Sequence, residues 1–122
     1  PVIHHADSLS LSEIADRSAA LAQSARAGEL GRDDLAGGTF TISNLGMYGI
    51  REFAAVINPP QGAILAVGAC EKRPIVNGDN LEIATMMTIT LSCDHRVVDG
   101  AVGARWLQAF KGLVENPMTM LL

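Results

Sequence analysis

The residues Ser92-Cys93-Asp94-His95-Arg96-Val97-Val98-Asp99-Gly100 join the two most informative segments of the chain. Residues 81–93 before them alternate imperfectly and are rich in Thr, Ile and Met, as is typical of a strand. As a single strand this segment would be about 40 Å long, at ~3.3 Å per residue. Residues 99–115 after them carry apolar residues at helical spacing. The stretch therefore predicts a strand, a turn that carries a histidine, and a helix.

The predicted helix over 99–115 begins at Asp99, a good N-cap residue, and ends at Asn116-Pro117. Its spacing predicts an inner stripe made of Val102, Arg105, Trp106, Ala109, Phe110 and Leu113.

The rest of the chain predicts a second helix and more strands. Ser10 and Glu13 form a capping box that opens a helix over 10–27, and Gly28 is its expected stop. Strands are predicted at 39–43 and within the apolar run 63–70. The turn residues 77–80 predict a hairpin, so the chain mixes helices and strands in one domain of 122 residues.

Composition excludes several classes of function. Hydrophobic residues make up 48% of the chain and charged residues 18%, which predicts a folded chain that covers part of its surface with partner subunits. The net charge of −4 argues against a nucleic-acid partner. No run of about 18 apolar residues predicts a membrane span, and residues 1–5 do not resemble a signal peptide.

The two cysteines, Cys70 and Cys93, are too few for a disulfide framework. Together with His95 and the pair His4-His5 they match no common zinc spacing, so no metal is expected. Buried free thiols in a reducing compartment are the simpler interpretation.

His95 is the first candidate for chemistry. Histidine titrates near neutrality and is the usual general base, and Asp99 four residues later offers a carboxylate that fixes a ring or an arginine. Taken alone, such a pair is as readily explained by capping and ordinary polar contacts.

Several motifs together resemble one family. The run 94–101 (DHRVVDGA) is similar to the signature of the dihydrolipoamide acyltransferases, the core enzymes of the 2-oxo acid dehydrogenase complexes. The resemblance extends to 40–46 (FTISNLG), 57–61 (INPPQ), 64–68 (ILAVG) and 71–74 (EKRP), and so covers essentially the whole chain. Residues 45–50 and 53–58 resemble the acetyl-transferring, pyruvate dehydrogenase branch most.

The resemblance implies an α/β two-layer sandwich similar to chloramphenicol acetyltransferase, with a mixed sheet and helices on one face. It implies that residues 1–122 are the C-terminal half of a catalytic domain. Lipoyl domains and much of the coenzyme A site would then lie outside this chain, upstream of it.

The resemblance also implies roles for individual residues. His95 would be the general base in acetyl transfer between a dihydrolipoyl thiol and coenzyme A, and Ser43 would stabilise the oxyanion. Asp99 would hold the geometry of the site, or serve mainly as an N-cap. Phe53 and Leu65 are expected either to line the substrate channel or to belong to the apolar core.

Family members form homotrimers whose active sites lie between subunits, and the trimers assemble into larger cores with the other subunits of the complex. The apolar tail 118–122 fits a contact between trimers. The resemblance places the protein in the bacterial cytoplasm or, in a eukaryote, in the mitochondrial matrix. Two alternatives stay open: a non-catalytic fragment that only assembles the core, and an enzyme for succinyl or branched-chain acyl groups.

Overall fold

The computed structural model describes residues 1–121, which fall into two units, Pro1–Thr39 and the residues from Phe40 onward. The first unit contains helix α1 (Leu11–Ala27). The second contains five strands and a helix: β1 (Thr41–Asn44), β2 (Ala63–Val67), β3 (Glu71–Asn77), β4 (Asn80–Met86), β5 (Ile89–Cys93) and α2 (Gly100–Glu115). Short 3-10 helices lie at Ala6–Ser8, Gly46–Tyr48 and Pro117–Leu121.

Helix α1 has the ends that its sequence predicts. The Ser10 Oγ accepts a hydrogen bond from the Glu13 backbone N–H at 3.3 Å, and the Glu13 carboxylate accepts one from the Ser10 N–H at 2.8 Å. The pKa of Glu13 is lowered by the hydrogen bond from the Ser10 N–H and by a second one, at 2.7 Å, that the Ser10 hydroxyl donates to the Glu13 carboxylate, because both favour its ionised form. Gly28 ends the helix in the left-handed conformation, with φ 73°.

Strands β1, β2 and β5 form a mixed sheet in that order. β1 runs parallel to β2, with Ser43 opposite Ala66, and β5 runs antiparallel to β2, with Cys93 opposite Ala63. The central strand β2 contains the buried residues Ile64, Leu65 and Ala66. The sheet therefore places the buried core at its middle strand.

Residues 81–93 do not form one long strand. Strand β4 pairs with β3 in a separate two-stranded sheet, whereas β5 pairs with β2. The chain changes sheets at Met87-Thr88, where the Thr88 carbonyl accepts a hydrogen bond from the Gly68 N–H at 2.9 Å. The break between β4 and β5 lies opposite the break between β2 and β3. The two paired stretches of chain therefore pass from one sheet to the other at the same place.

Helix α2 begins and ends as predicted, but it uses a different face for packing. Its one buried residue is Gly103, where an added Cβ would lie 3.6 Å from the Cys93 Sγ and 3.7 Å from the Leu91 Cδ2. Leu107 and Phe110 on the same side are half-buried, and of these three residues the predicted stripe included only Phe110. The predicted stripe is therefore wrong by a fraction of a turn, because it omits the glycine that lets the helix approach the sheet; Val102, Trp106 and Leu113 are exposed.

The loops that follow β1 and β2 meet through two glycines. An added Cβ at Gly46 would lie 2.7 Å from the Gly68 carbonyl oxygen, and one at Gly68 would overlap the Arg51 carbonyl oxygen. Only hydrogen fits in either place.

The α/β class and the mixed sheet are confirmed, and α2 lies against the sheet face that carries Leu91 and Cys93. Among residues 1–121, none of the helices has the length and apolar character that crossing a membrane requires.

Candidate active site

His95 lies on a tight turn, residues 94–98, that connects β5 to α2. The Asp94 carbonyl accepts hydrogen bonds from the Val97 N–H at 3.0 Å and from the Val98 N–H at 2.9 Å. The Asp94 N–H donates to the Gly62 carbonyl at 2.8 Å, which ties the turn to the residue before β2. His95 itself is exposed. The end of β5 and the start of α2 therefore fix the position of the His95 backbone, from which the imidazole projects.

Asp99 serves as the N-cap of α2. Its Oδ1 accepts a hydrogen bond from the Val102 N–H at 2.8 Å, and its carbonyl accepts one from the Gly103 N–H at 3.1 Å. Capping thus occupies one carboxylate oxygen and leaves Oδ2 for another partner. The two roles that the sequence left open for Asp99 are compatible in this geometry.

His95 and Asp99 share one shallow depression of about 290 Å³. Its other lining residues come from β5, from the turn after it and from the start of α2, and most are apolar or small: Leu91, Cys93, Val98, Gly100, Gly103, Ala104 and Leu107. The structure therefore brings together two of the three residues predicted to be catalytic.

Ser43 lies elsewhere on the sheet. It is half-buried in β1, opposite Ala66, while the chain leaves β5 at Cys93, opposite Ala63. Three residues along the strands and two strand spacings across them separate the Cα atoms of Ser43 and Cys93 by about 14 Å. His95 lies two residues further from Ser43, beyond the end of the sheet. Within one chain, Ser43 and His95 thus do not form a common site.

The two residues expected in a channel or in the core differ in burial. Leu65 is 1% exposed in the middle of β2, which makes it a core residue of this chain. Phe53 is half-buried in the segment between β1 and β2. Its place in a channel stays a prediction.

An ion pair at the His95 turn is the strongest electrostatic feature near the site. Both Asp94 carboxylate oxygens accept hydrogen bonds from the Arg96 guanidinium, the shortest at 2.6 Å from Nη2. Hydrogen bonds from the Arg96 side chain and backbone hold the pKa of Asp94 at about 2. The same pair raises the pKa of Arg96. The pair links the residues on either side of His95, and the only sign of it in the sequence is the spacing Asp-x-Arg around the histidine.

A second, larger cavity of about 490 Å³ lies between β4, β5 and α2. Its lining is mainly apolar and contains none of the predicted catalytic residues. Within residues 1–121, no three side chains of His, Cys, Asp or Glu are grouped in a way that would hold a metal ion.

The comparisons with known proteins agree with one another. The family model for the 2-oxoacid dehydrogenases acyltransferase catalytic domain matches residues 1–122. The chain is 57% identical to the mitochondrial dihydrolipoyllysine-residue acetyltransferase component 3 of the pyruvate dehydrogenase complex of Arabidopsis thaliana. That match covers 100% of this chain and 23% of the relative.

Two solved structures have the same fold, each with 38% identity and a TM-score of 0.94, over 100% of this chain and 50% of theirs. One is the dihydrolipoamide acetyltransferase of Azotobacter vinelandii, in a study of the role of a serine, a histidine and an asparagine in its catalytic mechanism. The other is the cubic core of the pyruvate dehydrogenase multienzyme complex. The chain thus spans about a quarter of the plant relative and half of each solved chain.

Proposed function

The chain belongs to the 2-oxoacid dehydrogenase acyltransferases, and on that premise we propose that it carries part of the active site of a pyruvate dehydrogenase complex acetyltransferase. The reaction is the transfer of an acetyl group between a dihydrolipoyl thiol and coenzyme A. The observation that carries the proposal is the placement of His95 and Asp99 in one depression at the junction of β5 and α2. Residues 1–122 would be the C-terminal half of the catalytic domain.

His95 acts as the general base. A thiol with a pKa near 8.5 is mostly protonated at pH 7, and only its thiolate attacks. A ring nitrogen of His95 takes the thiol proton while the new carbon–sulfur bond forms at the acetyl carbonyl. When the old carbon–sulfur bond breaks, His95 returns the proton to the departing sulfur. The imidazole therefore ends the cycle in its starting state, and no metal is required.

Ser43 stabilises the negative charge that develops on the acetyl oxygen. Its hydroxyl donates a hydrogen bond to that oxygen, which is strongest when the charge is greatest. The distance between Ser43 and the His95 turn in one chain supports a site built by two copies, one supplying His95 and the other Ser43. A homotrimer with three sites at its interfaces, as proposed for this protein, has this arrangement.

The spacing of residues in a relative supports these roles. The serine, histidine and asparagine studied in the Azotobacter vinelandii enzyme are spaced along that chain as Ser43, His95 and Asp99 are along this one. Asp99 stands where that enzyme has an asparagine. Both side chains offer an oxygen that caps a helix, so the difference leaves the cap intact.

Substrates and partners follow from the same proposal. Coenzyme A is a substrate, and the lipoyl group arrives on a separate domain outside this chain. Phe53 is proposed to line the substrate channel; Leu65, given its burial, contributes to it only by supporting the sheet beneath. The protein would work beside the other subunits of the complex, in the cytoplasm of a bacterium or in the mitochondrial matrix of a eukaryote.

The C-terminal tail is proposed to join trimers into a larger core. In the 3-10 helix Pro117–Leu121, Met118 is 72% exposed and Leu121 is 64% exposed. Exposed apolar side chains without a charge among them are typical of a protein interface. Leu122, which the sequence also assigned to this contact, lies outside the described residues.

A core-assembly role without catalysis is the second candidate. It is favoured by the many exposed apolar side chains, among them Leu81 and Ile83 on β4. An assay of acetyl transfer from acetyl-coenzyme A to dihydrolipoamide distinguishes the catalytic role from the assembly role. It is carried out on the protein with its full flanking sequence. We expect transfer that His95→Ala reduces and His5→Ala, a control in the first unit, leaves unchanged. An assembled particle without acetyl transfer would support the assembly role. Faster transfer from succinyl- or branched-chain acyl-coenzyme A would show that the acyl group is not acetyl.

A further inference from the structure

The turn that carries His95 is held by its neighbour. Asp94 contributes its N–H to Gly62, its carbonyl to Val97 and Val98, and its carboxylate to Arg96. The imidazole, by contrast, belongs to a residue that is neither in a strand nor in a helix. A base on a turn keeps its position only if the backbone on both sides is fixed.

The Asp94 carboxylate fixes the far side of the turn in two ways. Its Oδ1 accepts a hydrogen bond from the Arg96 backbone N–H at 3.0 Å, so it spans His95 and clamps the backbone that follows. Both of its oxygens also bind the Arg96 guanidinium. The Asp94 side chain is 24% exposed and that of Arg96 is 89% exposed, so the partner lies over the carboxylate from the solvent side.

The near side of the turn rests on Gly62. Its carbonyl accepts the Asp94 N–H, and an added Cβ at Gly62 would lie 2.9 Å from the Val97 Cγ2. The turn therefore sits directly on the backbone that leads into β2. Asp94 is the one residue that joins this support to the Arg96 clamp.

We infer that Asp94 is a positioning residue for His95, acting through the backbone of the turn and through Arg96 rather than on the substrate. The inference rests on the proposed role of His95 as the base. An ion pair this exposed contributes little to global stability. The effect of the pair is instead local, because it restricts the backbone of Asp94 and Arg96, the residues on either side of His95.

The test compares Asp94→Ala with Asp94→Asn in the protein with its full flanking sequence. Alanine removes both carboxylate contacts, whereas asparagine keeps an oxygen for the Arg96 N–H and loses only the charge. We expect Asp94→Ala to lower kcat for acetyl transfer by about 10- to 100-fold, as a misplacement of ~1 Å can do. KM for both thiols should change less than about twofold, and Asp94→Asn should recover most of kcat.

Hydrogen exchange of the Arg96, Val97 and Val98 amides gives a second readout that does not depend on activity. Exchange should accelerate in Asp94→Ala and stay near wild type in Asp94→Asn. Glu115→Gln, which breaks the exposed ion pair with Lys111 on α2, is the matched control and should change neither kcat nor these amides.

Wild-type kcat in Asp94→Ala, or Asp94→Asn as slow as Asp94→Ala, would overturn the inference. If the wild-type protein transfers no acetyl group, the proposed function fails, and the amide exchange alone decides whether Asp94 holds the turn. Unchanged exchange in Asp94→Ala would then overturn it.

Discussion

Two variants that are each inactive should recover activity when they are assembled together. Ser43 and the His95 turn lie at different ends of the sheet, with about 14 Å between the Cα atoms of Ser43 and Cys93. Base and oxyanion donor must both come within about 3.5 Å of the reacting atoms of one substrate. With the proposed roles, one chain cannot satisfy both demands, so we predict that each site takes His95 from one subunit and Ser43 from another.

The expected recovery follows from counting sites. Alone, His95→Ala should lose about 10²- to 10⁴-fold in kcat and Ser43→Ala about 10²- to 10³-fold, with KM little changed. In oligomers assembled from equal amounts of both, a site works when a Ser43→Ala subunit supplies the histidine and a His95→Ala subunit the serine. Over all freely mixed trimers each condition is met half of the time, so about a quarter of the wild-type activity should return. In trimers selected for holding both variants, one of the three interfaces has this arrangement, so about a third should return.

Co-expression with two different affinity tags yields the mixed oligomers, and acetyl transfer to dihydrolipoamide is measured after purification on both tags. Mixing either variant with the double variant Ser43→Ala/His95→Ala gives the control, which can contain no intact site. Activity that stays at the level of the single variants, in oligomers shown to hold both tags, would refute the two-chain site. It would also mean that the sheet register does not separate the two side chains in the working enzyme.

Three further perturbations test other parts of the structure. Deleting residues 118–122 should leave active trimers and abolish the larger particle, which light scattering and the transfer assay measure together; an unchanged particle would mean that the tail is not the contact. Asp99→Ala removes the oxygen that caps the Val102 N–H and should lower the free energy of unfolding by about 1 kcal/mol, whereas Asp99→Asn should lower it far less. The pKa of Asp94 is about 2 when paired with Arg96 and 3.8 ordinarily, so the small contribution of this exposed pair to stability is present above pH 3.8 and disappears as the pH falls towards 2. In denaturant titrations the difference in stability between wild type and Asp94→Asn should therefore narrow over that range, and a constant difference would contradict it.

Much of the fold follows from local sequence. Ser10, Glu13 and Gly28 define helix α1 because capping and the left-handed stop are decided within a few residues. The break at Met87-Thr88 is not decided locally. Residues on either side have the same strand propensity, and only their different partners, β3 and β2, separate β4 from β5.

The candidate site divides in the same way. The spacing of His95 and Asp99 predicts that both lie at one junction, because four residues separate them between a strand end and a helix start. Their catalytic roles follow only from the family resemblance and stay a prediction. The packing face of α2 was misassigned because an apolar count gives no weight to glycine, and Gly103 is where the helix touches the sheet. The distance from Ser43 to His95 depends on strand register, which the residues themselves do not show.

The contact between Gly46 and Gly68 has a consequence for anyone who maps function by saturation mutagenesis. Every side chain introduced at Gly68 would collide with the Arg51 carbonyl, and every one at Gly46 with the Gly68 backbone. Both positions will therefore score as intolerant as the proposed catalytic ones, although neither carries a group that could take part in chemistry. Since Gly46 lies three residues from Ser43, a map of mutational tolerance would show the two positions as one apparent functional site. Assays that measure the yield of folded protein separately from the turnover per folded molecule would distinguish the two causes. Variants at Gly46 and Gly68 should lower the yield, whereas variants of Ser43 should lower the turnover.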